Sequence, residues 1–191
     1  MDHIAAFTGF DETAGWHLGM RPVYRVWQFW HALTAFPDAG DLVMASEVLS
    51  PALMELFLRL QPSEQEHALG IFRRLTASQE KNPDLLAAAL LHDVGKSRYP
   101  LHLEERIVIV LAKKLFPKRV KVWGIAQPYG WRRPFVVAEQ HPAWGAEMAE
   151  AAGATPGVVR LIRRHHEQAL DSTDPGELEL LKKLQDLDNQ R

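Results

Sequence analysis

Apolar positions along the chain recur at the three-and-four spacing of amphipathic helices, and no run alternates apolar and polar residues for long enough to form a strand. Prolines, glycines and small polar residues punctuate the pattern. A helix is predicted over about 21–35, with Pro22 near its start, followed by a turn at Phe36-Pro-Asp-Ala-Gly40. Further helices are expected at about 41–49, from Ser50-Pro51 to Leu60, at 63–78, and at 84–93, where Asn82-Pro83-Asp84 caps the start. The next are expected at 102–115, 134–140, 142–152, 156–169 and 175–188. Between them, residues 117–134 are rich in Pro, Gly, Trp and basic groups and read as an irregular excursion. Residues 1–20 carry Gly9, Gly15 and Gly19 without periodicity and read as a loose or docked arm. The fold class is therefore all-α: one compact multi-helix bundle over 21–191, with no visible domain boundary.

The burial pattern brings the first chemistry into view. The segment Leu85–Leu91 is wholly apolar and must lie inside, yet it runs straight into His92-Asp93. An unpaired buried carboxylate would cost several kcal/mol, so Asp93 needs a cation and His92 a polar partner. One divalent ion meets both needs. A local alternative also exists, in which His92 caps its helix and Asp93 pairs with Lys96.

Other histidines share this inward character. His67 falls on the stripe of Leu60, Ile71, Phe72 and Leu75, where a buried imidazole bonded to a backbone carbonyl is the simpler alternative. His141 precedes Pro142, which favours an extended backbone at a helix entrance and leaves helix capping as its alternative role. His165 shares a face with Val158, Leu161 and Ile162. His166 lies 100° further round and reaches either the same site or solvent. Near the end of the chain Asp188 borders the face of Leu181 and Leu184, whereas Asp186 projects to the opposite side.

Composition narrows the chemistry. The 191 residues include no cysteine, which excludes disulfides, zinc–thiolate sites, iron–sulfur clusters and a thiol nucleophile. Imidazoles and carboxylates alone suit manganese, iron, cobalt, zinc or magnesium. The net charge of −2 gives no global field for nucleic acid or membrane. The longest apolar runs, at 85–91 and 107–112, are too short to span a bilayer. The first residues lack the basic-then-apolar pattern of a signal peptide, so a cytoplasmic location is expected. From Arg106 to Arg133 there are eight basic residues and no acid, interleaved with Trp123, Tyr129 and Trp131. That stretch is either a lid for an anionic ligand or a solvated basic face with its tryptophans packed on the core. The aromatic residues Tyr24, Trp27, Phe29 and Trp30 form a second stripe, for a partner or for packing.

The ordered set His67, His92-Asp93, His141, His165 and Asp188 resembles the H…HD…H…H…D signature of the HD-domain superfamily of metal-dependent phosphohydrolases. LLHDVGK is similar to its HDxGK variant, and HPAWGAEM and HHE are similar to segments of the HD-GYP and related multi-metal branches. The resemblance covers about 60–191, the expected metal-binding core. It implies an all-α fold and a phosphohydrolase that cleaves a phosphate ester of a nucleotide or similar small metabolite through a metal-bound hydroxide. It implies two divalent metal positions. His67, His92, Asp93 and Asp188 would hold one ion, with Asp93 bridging. His141 and His165, with or without His166, would hold the other. Asp93 and Lys96 would carry the catalytic roles, Lys96 by binding a substrate phosphate. The sequence departs from HD-GYP in three places: Asp171-Ser172-Thr173-Asp174-Pro175 stands where DGxGYP is expected, Ser63 stands four residues before His67, and residues 97–134 lengthen the gap to His141. Cyclic di-GMP specificity and a third metal position are accordingly not implied. A regulatory module that binds nucleotide or metal without turnover is the competing class. Neither a membrane nor a nucleic-acid partner is expected.

Overall fold

A computed structural model describes residues 37–167 and 174–190. The expected arm over 1–20 and helix over 21–35, with its aromatic stripe, lie outside the described residues. Within them the structure is helical throughout, with nine α-helices and no strand. The helices are α1 (Ala39–Val48), α2 (Pro51–Leu58), α3 (Pro62–Ala77), α4 (Pro83–Leu91), α5 (Leu103–Leu115), α6 (Pro117–Gly124), α7 (Arg133–Ala151), α8 (Pro156–Arg164) and α9 (Pro175–Asp188). Seven of them carry a proline in the first turn, where its missing N–H removes no helical bond. Side-chain caps complete several starts: Ser50 accepts from Leu53 N–H, Asn82 from Asp84 and Leu85, Thr155 from Val158, and Asp174 from Gly176. These local signals are why the helix starts could be read along the chain.

The core gathers around α4, which packs against α1, α2, α3, α8 and α9. Leu85, Leu90 and Leu91 are fully buried among Phe57, Leu69, Phe72, Leu161, Ile162, Leu181 and Leu184. Each such side chain contributes about 1.5–3 kcal/mol of burial, which outweighs the modest helix length. A smaller cluster of Leu101, Ile109, Ala112, Val120, Phe135 and Val137 holds α5 and α6 against α7.

Two expectations are corrected. The stretches 134–140 and 142–152 form the single helix α7, with Pro142 inside it. Pro142 lacks the N–H that would bond the Ala138 carbonyl, a cost of about 3 kcal/mol. Burial of Val136, Val137, Ala146 and Ala149 on both sides of it offsets that cost. His141 is therefore helical, not extended at an entrance. Second, 117–134 is not irregular throughout: it contains α6 and a 3-10 turn at Gly130–Arg132. Trp123 packs between Phe116, Trp131 and Phe135, while Tyr129 and Trp131 stay exposed. In addition, α8 ends at Arg164 rather than at 169, because His165 closes the helix as its C-cap.

Candidate metal centre

The apolar α4 delivers His92 as its C-cap, and the backbone then leaves the α-helix at Asp93 (φ −94°, ψ 0°) to enter a 3-10 turn, Val94–Arg98. This turn presses against α7. A Cβ on Gly95 would stand 2.0 Å from the His141 carbonyl oxygen and 2.6 Å from Gly145 N. Only a glycine permits that approach, and it sets Asp93 beside His141. The helices α3, α8 and α9 bring His67, His165-His166 and Asp188 to the same place.

All seven sequence-expected ligands converge. Asp188 Oδ1 lies 2.8 Å from His67 Nε2 and 3.6 Å from His92 Nε2. His141 Nε2 lies 3.3 Å from His165 Nε2, and the His166 ring is 4.8 Å from that of His141. Two trios result, His67–His92–Asp188 and His141–His165–His166, each with its ligand atoms within 4.8 Å of one another. Asp93 stands between them. Its Oδ1 is 3.1 Å from His141 Nε2 and 3.9 Å from His165 Nε2, and its Oδ2 is 3.5 Å from His92 Nε2. Lys96, one 3-10 turn on, donates to Asp93 Oδ2 at 2.6 Å. The local Asp93–Lys96 pairing and the convergence on Asp93 therefore coexist. His92, Asp93, His141 and His165 are buried; His166 is exposed at the rim. Asp186 is exposed on the far side of α9.

The imidazoles are oriented by their backbones. His92 Nδ1 donates to Ala89 O at 3.0 Å, His141 Nδ1 to Val137 O at 3.0 Å, and His165 Nδ1 to Ile162 O at 2.7 Å. A carbonyl only accepts, so each Nδ1 carries a proton and each Nε2 is turned inward. This is the ring orientation a metal-ligating Nε2 needs. His92 Nε2 is buried with no hydrogen-bond partner. Such an orphan is costly unless a further group binds there. The donor set and this orphaned nitrogen fit a divalent cation.

Charge follows the geometry. Burial raises the Asp93 carboxyl, but Lys96, His92 and His141 outweigh it and hold the group well below the usual range. Asp188 is likewise held low: His67 and His92 overcome its desolvation. Burial lowers His141, and burial with the neighbouring imidazoles lowers His165 strongly. Both shifts favour the neutral ring. His92 is lowered by burial but raised overall by Asp93 and Asp188.

Sequence reasoning missed Glu64. It is buried one turn before His67, and its Oε1 accepts from Arg106 at 2.8 Å while Oε2 accepts from Gln61 N at 3.2 Å. Burial raises its pKa, against the opposing charges of Lys96 and Arg106. Arg106 also donates to Ser63 Oγ at 3.1 Å and to Gln61. The Gln61-x-x-Glu64 spacing at a helix start was the available signal. Arg106 and Arg133, which pairs with Glu105, are thus held by carboxylates instead of forming a solvated face.

Among the described residues, packed helices surround a histidine–aspartate cluster. The family model described as HD domain matches residues 65–189, and the chain belongs to that family. HD domains bind divalent metals and are in general metal-dependent phosphohydrolases. No curated protein and no solved structure matches the chain. No helix among the described residues is long and apolar enough to cross a membrane.

Proposed function

We propose that this chain is a phosphohydrolase that cleaves a phosphate ester of a nucleotide or similar small phosphorylated metabolite, using two divalent cations. The observation that carries the reading is the position of Asp93, with one carboxylate oxygen toward each histidine trio. His67, His92, Asp188 and Asp93 Oδ2 would hold one cation, and His141, His165, His166 and Asp93 Oδ1 the other. When bound, such cations supply Lewis acidity that activates water and neutralises phosphate oxygens.

The chain's own groups do the rest. The three backbone carbonyls at Ala89, Val137 and Ile162 hold the buried imidazoles in one orientation, with Nε2 turned inward before binding. The carboxylates of Asp93 and Asp188 stay ionised and balance cationic charge. Lys96 keeps part of its side chain exposed beside Asp93 and binds an oxygen of the substrate phosphate. No serine or cysteine nucleophile is required. In this reading LLHDVGK is an HDxGK motif and the enzyme works in the cytoplasm.

The test is phosphate release from a panel of mono-, di- and cyclic nucleotides and sugar phosphates with Mn, Fe, Co, Zn or Mg. Turnover that is lost in Asp93→Ala, and retained in His102→Ala, supports the reading. Tight metal binding without turnover of any substrate would support a regulatory module instead.

A further inference from the structure

Resting on that reading of the metal centre, we propose that Lys96 and a divalent cation compete for Asp93 Oδ2, so that filling the His67–His92–Asp188 position transfers the Lys96 ammonium to the substrate phosphate. The two carboxylate oxygens of Asp93 are not equivalent. Oδ1 faces imidazoles, with His141 Nε2 at 3.1 Å and His165 Nε2 at 3.9 Å. Oδ2 faces the orphaned His92 Nε2 at 3.5 Å but is also the acceptor for Lys96 Nζ at 2.6 Å.

A cation in the His141–His165–His166 trio reaches Oδ1 without disturbing Lys96. A cation in the other trio needs the oxygen that Lys96 holds, and an ammonium adjoining a divalent cation is repelled. The backbone does not oppose departure. Lys96 is anchored in the 3-10 turn by its own backbone N–H, which donates to the Asp93 carbonyl at 2.9 Å, so release of its side chain from Oδ2 breaks no backbone bond. Its side chain also has a route outward, being 16% exposed where Asp93 is 2%.

The displaced ammonium has three donors and no acceptor, so it requires an anion. A phosphate oxygen bound beside the cations supplies one. The two positions therefore differ in affinity, and phosphate and the cation at the His67–His92–Asp188 position bind cooperatively. Linkage makes this reciprocal: each raises the affinity of the other by the same factor. Lys96 thereby delays full loading until an oxyanion is present.

The experiment is calorimetric titration of the full chain with Mn²⁺, with and without inorganic phosphate, for wild type, Lys96→Met and Lys96→Gln. The expected result is two unequal sites in wild type, with the weaker tightened about tenfold in Lys96→Met and the stronger unchanged. Phosphate tightens the weaker site several-fold in wild type and not in either variant. Lys96→Gln keeps a neutral donor on Asp93, and its circular dichroism shows whether the fold survives loss of the charge. An unchanged or weakened site in both folded variants overturns the competition while leaving the metal centre standing. A wild-type chain that takes up no cation overturns both.

Discussion

His141 and His165 face each other with their Nε2 atoms 3.3 Å apart, and each donates its Nδ1–H to a backbone carbonyl. Asp93 Oδ1 lies 3.1 Å from the His141 Nε2 and 3.9 Å from the His165 Nε2, so both rings face the same carboxylate oxygen. Burial lowers the pKa of both rings and favours their neutral forms, the state in which an imidazole can take a cation.

The first consequence is thermal. A divalent cation present at about 100 times its dissociation constant should add about 2.7 kcal/mol of stability, which raises Tm by roughly 5–10 °C for a chain of this size. Chelator should reverse the shift in wild type. In His92→Ala, which lacks the orphaned Nε2, both the gain and its reversal should shrink. A melting curve that ignores Mn, Fe, Co and Zn alike would contradict the metal centre.

The two late aspartates should behave differently. Asp188 bonds His67 and approaches His92, whereas Asp186 is exposed. Asp188→Asn is expected to lower metal content and phosphate release at least tenfold, the effect of losing a direct ligand being no smaller than that of an outer partner. Asp186→Asn should change neither. Metal analysis of the two purified variants decides it.

Gly95 and Gly70 offer a paired test of the turn that carries Asp93. Alanine at 95 puts a methyl 2.0 Å from the His141 carbonyl oxygen, against backbone that cannot yield. Gly95→Ala should cost about 1–3 kcal/mol or more in urea unfolding and displace Asp93 from His141, with loss of metal. Alanine at 70, mid-helix in α3, finds its nearest neighbour, the flexible end of Arg73, at 3.7 Å. Gly70→Ala should stabilise by about 0.5–1 kcal/mol.

The Glu64–Arg106 pair joins α3 to α5 across 42 residues of sequence. Arg106→Met leaves a buried carboxylate without its cation and should cost about 3 kcal/mol. Adding Glu64→Leu to it should recover most of that loss. Denaturation of the single and double variants measures the coupling; simple additivity would show that the pair is not acting as one.

Much of this architecture could be read along the chain because its signals are local. Prolines and capping residues mark where α2, α3, α4, α8 and α9 begin, and their apolar faces recur every three to four residues. The same helical phase distinguishes Asp188 from Asp186. Where a local rule met a stronger tertiary one, the reading failed. Pro142 suggested a break, yet burial on both sides of it carries α7 through. The Gln61-x-x-Glu64 spacing marks a helix start but not the burial of Glu64, because the partner of that carboxylate, Arg106, lies on another helix.

By itself the sequence determined the kind of chemistry available: histidines and carboxylates without thiols, on helices whose apolar stripes turn those residues inward. Helical periodicity is set by backbone geometry, so a face can be assigned from spacing alone. Only the tertiary structure decided which atoms meet. The division of Asp93 between two trios, the orphaned His92 nitrogen and the hold of Lys96 on one oxygen depend on how a glycine turn seats against α7. That seating arises from packing between segments distant in sequence, where a shift of an ångström changes the partner and no local pattern records it.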